Sequence, residues 1–198
     1  PGTFLTSLGA EVLTVLYELL PATSVGFGFS ALAAAPLSSR PVEQPVDNPA
    51  PEAEKVVGFV SATTGTGRLF WELGTRHLAR FLPPLLSSYA RRPQLLWRSV
   101  ETVLYPWLAG GRGAKVEQPS AELLSIMVEP GRQSQGIGSR LLHALLAECR
   151  ARGIAHLTVT VDAANTGAQR FYQRHGFQPG ERFLLYGRPM CGYQMEMA

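Results

Sequence analysis

Gln133-Ser134-Gln135-Gly136-Ile137-Gly138-Ser139 stands between an apolar run at 121–128 (AELLSIMV) and a stretch at 139–152 of helical period. The run before it is apolar on both faces apart from Glu122 and Ser125, which suits a central buried strand. In the stretch after it, Leu141, Leu142, Leu145, Leu146 and Cys149 share one helical face, and Gly153 offers a left-handed cap. A helix that starts here leaves its first N–H groups without intrahelical partners, and its dipole adds partial positive charge. Gly136 and Gly138 let that backbone approach an anion with no Cβ in the way, which makes a diphosphate site out of main chain. As loop chemistry alone, the same letters serve equally well for an ordinary helix start. Two other phosphate loops are excluded. A dinucleotide fingerprint needs a third glycine where Leu141 stands, and a Walker loop needs Lys where Ser139 stands.

Outward from this segment the elements alternate. The stretch 156–161 (HLTVTV) reads as a strand, and 165–175 as a short helix ended by Gly176. The segments 183–186 and 193–197 read as a hairpin around Gly187-Arg188-Pro189. Toward the N-terminus, Leu5, Leu8, Val12, Leu16 and Leu19 mark an amphipathic helix over 5–20 that Pro21 stops. Strands are expected at 25–33 and 56–63. Between them, 36–54 holds five prolines among polar residues and reads as a flexible connection. Strand, helix, strand, helix and hairpin in that order imply an α/β layer on a mixed sheet.

Residues 68–108 depart from this pattern. Apolar residues at Leu78, Phe81, Leu82, Leu85 and Leu86, and again from Leu95 to Leu104, are spaced for helices, and Pro83-Pro84 and Pro93 are expected to cut them short. Seven arginines lie between Arg68 and Arg112 against two acids, Glu72 and Glu101, and Trp71, Trp97 and Trp107 are all here. Such a helical insertion either packs on the domain by its apolar stripe or presents an interfacial surface for a membrane or acidic partner.

The 198 residues, 45% apolar and 17% charged, fit one domain with a real core. A net charge of +3 with no basic run gives no ground for nucleic-acid binding. Cys149 and Cys191 make no disulfide framework and fit a reducing, cytoplasmic setting. No apolar stretch is long enough for a spanning helix, and no basic segment precedes one as in a secretory signal. His77, His143, His156 and His175 show no metal-ligand spacing, so no metal is expected.

The Q-x-x-G-x-G segment is followed, across a strand, by N-x-x-A-x-x-F-Y-x-x-x-G-F: Asn165, Ala168, Phe171, Tyr172, Gly176 and Phe177. The two motifs in this order resemble the GNAT superfamily of acyl-CoA-dependent N-acyltransferases, strongly over 121–178 and by order of elements from 5 to 197. The resemblance implies a mixed, mostly antiparallel central sheet flanked by helices. The whole of 1–198 would be one N-acetyltransferase domain, with 68–108 as an α-helical insertion between the family's third and fourth strands. Because the chain begins close to its first helix, the family's first strand is expected to be absent or upstream.

The same resemblance implies site residues. The pantetheine arm of acetyl-CoA would bond to the main chain of Ile126, Met127 and Val128. The diphosphate would rest on the amides of Gln133, Ser134, Gln135, Gly136, Ile137, Gly138 and Ser139. Gln133 takes a place that is often Arg in relatives, which weakens the electrostatic part of binding and leaves the main-chain part. Asn165 would lie near the pantetheine, although it also suits the N-cap of its helix. Tyr172 matches the family's tyrosine beside the sulfur, where a phenol can protonate the leaving thiolate; an isolated Phe-Tyr pair would read as core. Glu122, eleven residues before Gln133, is the candidate base for the attacking amine, its plain alternative being a solvated strand-end carboxylate. The expected reaction is direct attack of a primary amine on acetyl-CoA, with the oxyanion held by amides near Met127 or Val128. The expected acceptor is a small molecule; protein N-terminal or lysine acetylation, or acyl-CoA binding without turnover, are the alternatives. Peripheral membrane contact through 68–108 and a homodimer are further expectations.

Overall fold

The computed structural model describes residues 10–33, 55–91, 119–185 and 187–197. In chain order the elements are helix α1 (Ala10–Leu19), strands β1 (Gly26–Leu32) and β2 (Val56–Thr63), helices α2 (Thr66–Arg76) and α3 (Leu78–Arg91), and strand β3 (Ser120–Val128). Helix α4 (Ile137–Ala151), strand β4 (His156–Asp162), helix α5 (Thr166–Arg174) and strands β5 (Gln178–Leu185) and β6 (Arg188–Glu196) complete it. The six strands form one sheet in the order β1-β2-β3-β4-β6-β5. Every neighbouring pair is antiparallel except β3 with β4, which is parallel. The mixed, mostly antiparallel sheet with flanking helices is therefore the observed fold class.

Among the described residues, two cores hold the helices to the sheet. Leu141, Leu142, Leu145, Leu146 and Cys149 of α4 pack with Val60, Ala62, Leu123, Leu157, Val159 and Val161. Leu142 and Leu145 are 0% exposed, and burying each contributes roughly 1.5–3 kcal/mol. Gly58 permits the close approach of α4, since a Cβ there would lie 2.8 Å from the Met127 carbonyl oxygen and 3.2 Å from Leu141. The smaller core joins Leu16, Leu19 and Leu20 to Val25 and to Leu69 and Leu73 of α2. A buried carboxylate ties it down: Glu72 accepts from the Ser24 amide (2.9 Å), the Ser24 hydroxyl and Arg68. Those Ser24 hydrogen bonds are the main reason its carboxyl falls to about 2.

Three expectations are corrected. Pro83 and Pro84 do not cut the helix; α3 runs through both, and the break falls at His77. Proline's fixed φ is compatible with a helix, so the pair removes two donors and crowds the preceding turn without ending α3. The hairpin strands are longer than 183–186 and 193–197, because β5 is an edge strand that accommodates Pro179 beside a register shift. The apolar stripe of the insertion is only partly covered: Phe81 meets the smaller core, whereas Leu78, Leu82 and Leu86 are exposed, as are Phe70 and Trp71 on α2. The proline-rich connection at 36–54 and the remainder of the insertion, 92–108, lie outside the described residues. Among the described residues no helix is long and apolar enough to cross a membrane.

Candidate functional site

Strands β3 and β4 pair only at their first four residues, Ser120 to Leu123 against His156 to Val159. Beyond Leu123 they run on to Val128 and Asp162 without pairing to each other. The parting coincides with a bulge, since the β2–β3 register slips between Ser61 and Ala62 and leaves Leu124 as the extra residue. Ser61, at the slip, is buried, and its hydroxyl has no partner among the described residues.

Alternation then assigns the backbone groups that line the gap. The Glu129 amide donates to the Val57 carbonyl at 2.8 Å, so Phe59 with Met127 and Ser61 with Ser125 are also hydrogen-bonded pairs. The N–H and C=O of Ile126 and Val128 consequently turn away from β2 and toward the gap. On the other wall, the Ala163 amide donates to the Pro189 carbonyl at 3.0 Å, which turns the main chain of Thr160 and Asp162 toward the same space. Of the three residues expected along the arm, Ile126 and Val128 face the gap. Met127 spends its main-chain groups on Phe59.

At the open end of β3 the chain makes a short 3-10 turn and enters α4 through Gly136, whose φ is +76°. A left-handed residue followed by helical Ile137 directs successive amides into one concavity. Ser134 is left-handed too, at φ +62°. Among the described residues, the amides of Ser134, Gln135, Gly136, Ile137, Gly138 and Ser139 find no acceptor; the helical ladder begins with the Arg140 amide on the Gly136 carbonyl at 3.0 Å. A Cβ on Gly136 would meet no atom within 4 Å, so the space beside Gly136 is open. A Cβ on Gly138 would lie 3.6 Å from the Phe171 ring and 3.8 Å from Val128, ordinary contact distances. Free amides, a nest and open space fit a diphosphate.

Nearby side-chain charge is largely committed. Arg132 pairs with Glu129 at 3.3 Å, and Lys55 pairs with the same carboxylate at 2.6 Å. The Lys55 hydrogen bond is the main reason that carboxyl sits below its ordinary value. The Gln133 side chain donates to the Val128 carbonyl at 3.4 Å. With those two cations engaged, the acceptor-free amides remain for an anion, beside the exposed Arg140.

Helix α5 brings the second motif alongside. Tyr172 is 4% exposed, between Phe177 and Tyr193, and burial pushes its phenol well above the ordinary value. It keeps its proton throughout the physiological range. Asn165 is the N-cap of α5: its Oδ1 accepts from the Ala168 amide at 3.0 Å. Glu122 is two residues before the bulge, in register with Thr63 and Thr158. Its Oε2 accepts from the Thr66 hydroxyl at 2.5 Å, so the start of α2 holds one oxygen of the candidate base.

Residues 88–177 match the Acetyltransferase (GNAT) family. The chain belongs to the GNAT superfamily. A mycothiol acetyltransferase of Thermobispora bispora is 30% identical over 189 residues, which cover 85% of this chain and 63% of the relative. A second, from Streptosporangium roseum, is 36% identical over 76 residues, or 38% of this chain and 23% of the relative. The chain thus spans less than two thirds of either. A [ribosomal protein bS18]-alanine N-acetyltransferase of Escherichia coli is 42% identical over 57 residues, or 29% of this chain and 38% of the relative. In fold, Arabidopsis thaliana NAA60, solved with a bisubstrate analogue, aligns with a TM-score of 0.53 at 13% identity, over 92% of this chain and 82% of that one.

Several neighbours of this GNAT site escaped sequence reasoning. Gln169 donates to the carbonyls of Asp162 (3.3 Å) and Ala163 (2.8 Å) and accepts from the Tyr193 hydroxyl (3.3 Å), bracing the far wall of the gap. His175 bonds to Ser139 at 3.0 Å, and Thr66 bonds to Glu122. None stands at a spacing that announces its partner, because each pair joins different elements.

Proposed function

We propose that this chain is an N-acetyltransferase that moves the acetyl group of acetyl-CoA to a primary amine by direct attack. The observation that carries it is the parting of β3 from β4 beside six acceptor-free amides. A cradle for the diphosphate and a slot of unpaired backbone for the pantetheine arm lie end to end. A relative in fold, Arabidopsis NAA60, has been solved with acetyl-CoA. The coenzyme supplies an activated thioester; the rest is work for this chain's own groups.

The amides from Ser134 to Ser139 hold the diphosphate, the Gln133 amide being spent on the Pro130 carbonyl at 3.5 Å, while Ile126 and Val128 align the arm. Val128 takes over the oxyanion role expected near Met127 or Val128, since its N–H faces the gap. Glu122, held at one oxygen by Thr66, takes the amine's proton directly or through water. Tyr172, uncharged in its buried setting, gives a proton to the leaving thiolate. Asn165 holds its helix with Oδ1 and has its NH2 for the pantetheine. A small-molecule acceptor is supported by the alignment covering 85% of this chain, to a relative named for mycothiol and not for a protein. The exposed ridge of Trp71, Leu78, Leu82 and Leu86, with Arg76 and Arg80 beside it, is the surface proposed for peripheral contact with an anionic membrane.

A thermal-shift series with acetyl-CoA, longer acyl-CoAs and nicotinamide dinucleotides tests the coenzyme class. Stabilisation by acetyl-CoA is expected, and none at saturating acetyl-CoA would overturn the proposal. Thiol release with a panel of amines, run against peptide arrays, then separates small-molecule from protein acceptors; binding without release from any acceptor would leave a non-catalytic binder. Cosedimentation with anionic vesicles, weakening as salt rises, tests the ridge.

A further inference from the structure

His175, next after α5, has both ring nitrogens in hydrogen bonds, and one of those partners has no choice of role. The Phe171 carbonyl, 2.7 Å from Nδ1, can only accept, so Nδ1 carries a proton whatever the charge of the ring. Nε2 lies 3.0 Å from the hydroxyl of Ser139, whose amide ends the acceptor-free run. A neutral ring therefore accepts the Ser139 O–H and leaves only hydroxyl lone pairs for anything in the cradle. A charged ring donates to the Ser139 oxygen, and the hydroxyl proton is released to point elsewhere. In that second state an anion gains a donor and a nearby positive charge, and in the first it gains neither.

We infer that His175 is a positioning residue for the coenzyme, reversing the Ser139 hydroxyl as it takes up a proton when the diphosphate binds. The inference rests on the reading of residues 133–139 as a diphosphate cradle. The groups that face the ring are the Ser139 hydroxyl and the His143 ring on α4, the latter edge-on at 5.6 Å, and the carbonyl and ring of Phe171 on α5, the ring at 4.4 Å. Arg140 and Arg170, next in sequence to the two partners, and Arg174, next to His175 itself, are exposed. None of the ion pairs among the described residues involves His175.

Dephospho-coenzyme A is the probe, because it lacks the titrating 3′-phosphate and its diphosphate stays fully ionised. Calorimetric titration near neutral pH, in two buffers of different ionisation enthalpy, counts the protons exchanged. The unaltered protein and His143→Asn are expected to take up protons, with Kd rising at least about threefold between about pH 6 and pH 8; one fully coupled proton gives about tenfold per pH unit. His175→Gln and Ser139→Ala are expected to bind without that uptake and with a flat pH profile. Uptake that survives in Ser139→Ala but not in His175→Gln overturns the relay in favour of charge acting through space. Uptake lost in His143→Asn, unchanged in both His175→Gln and Ser139→Ala, or absent from the unaltered protein overturns the role of His175. Failure of the probe to bind the unaltered protein overturns the cradle itself. Should His175→Gln not fold, Ser139→Ala decides, since it removes a single hydroxyl.

Discussion

Helices α4 and α3 carry equally regular apolar stripes and meet different fates. Leu141, Leu142, Leu145 and Leu146 of α4 are all buried, whereas Leu78, Leu82 and Leu86 of α3 are 51%, 47% and 58% exposed. The difference lies in what each helix meets. A sheet whose facing residues are Val60, Ala62, Leu123 and Leu157 receives α4, while α3 reaches the smaller core through Phe81 alone among its stripe. Periodicity states that a face is apolar, and only the rest of the fold states whether something covers it. One region is therefore a scaffold for chemistry and the other a surface.

The sharpest way to break this division is at Tyr172. Phenylalanine there should lower turnover by roughly 10²–10⁴-fold with little change in coenzyme affinity, read by thiol release and by calorimetry. Unaltered turnover would reduce the residue to core packing. Next in size, Leu142→Ala should cost about 2–5 kcal/mol in urea unfolding, because a site that is 0% exposed is left with a cavity. Gly136→Asn should weaken acetyl-CoA binding about tenfold or more while the melting temperature stays close to normal, since asparagine tolerates left-handed backbone and its side chain enters open space. Equal affinity would count against the cradle.

Glu72 probes the seam between the regions through pH. Its folded carboxyl lies at about 2, below the ordinary unfolded value of about 4.3. A depressed carboxylate stabilises fully above the unfolded value, and that contribution fades as pH falls toward the folded one. The unaltered protein should accordingly lose more of its urea midpoint between about pH 5 and pH 3 than Glu72→Gln does. The smallest effect belongs to the surface: Leu82→Ala should change stability by no more than about 0.5 kcal/mol. A loss near that of Leu142→Ala would show that α3 is covered after all.

Much of the site was legible because its elements are local. Gly136 announces a left-handed entry to a helix, Asn165 an N-cap, and Gly153 and Gly176 the ends of helices, each within a few residues of what it controls. The helical period places the start of α4 two residues late, at Ser139, because the glycine-bearing segment is itself the first turn. What stayed hidden needed partners from distant segments: Thr66 on Glu122, 56 residues away, and His175 on Ser139, 36 away. The split of duty among Ile126, Met127 and Val128 was hidden as well. Three consecutive apolar residues look alike as letters, and only the register with β2 tells which of them has backbone to spare.

By itself the order of residues determined that a glycine-bearing helix start follows an apolar strand and opens an amphipathic helix, with a phenol in the next helix. Glycine conformation, helix starts and apolar period are short-range properties, so the letters carry them. Tertiary structure alone decided where β3 leaves β4, which of two like stripes is buried, and which side chains brace the reacting groups. Those outcomes depend on pairing register and on competition for one sheet's surface, and both are settled only when segments far apart in the chain come together.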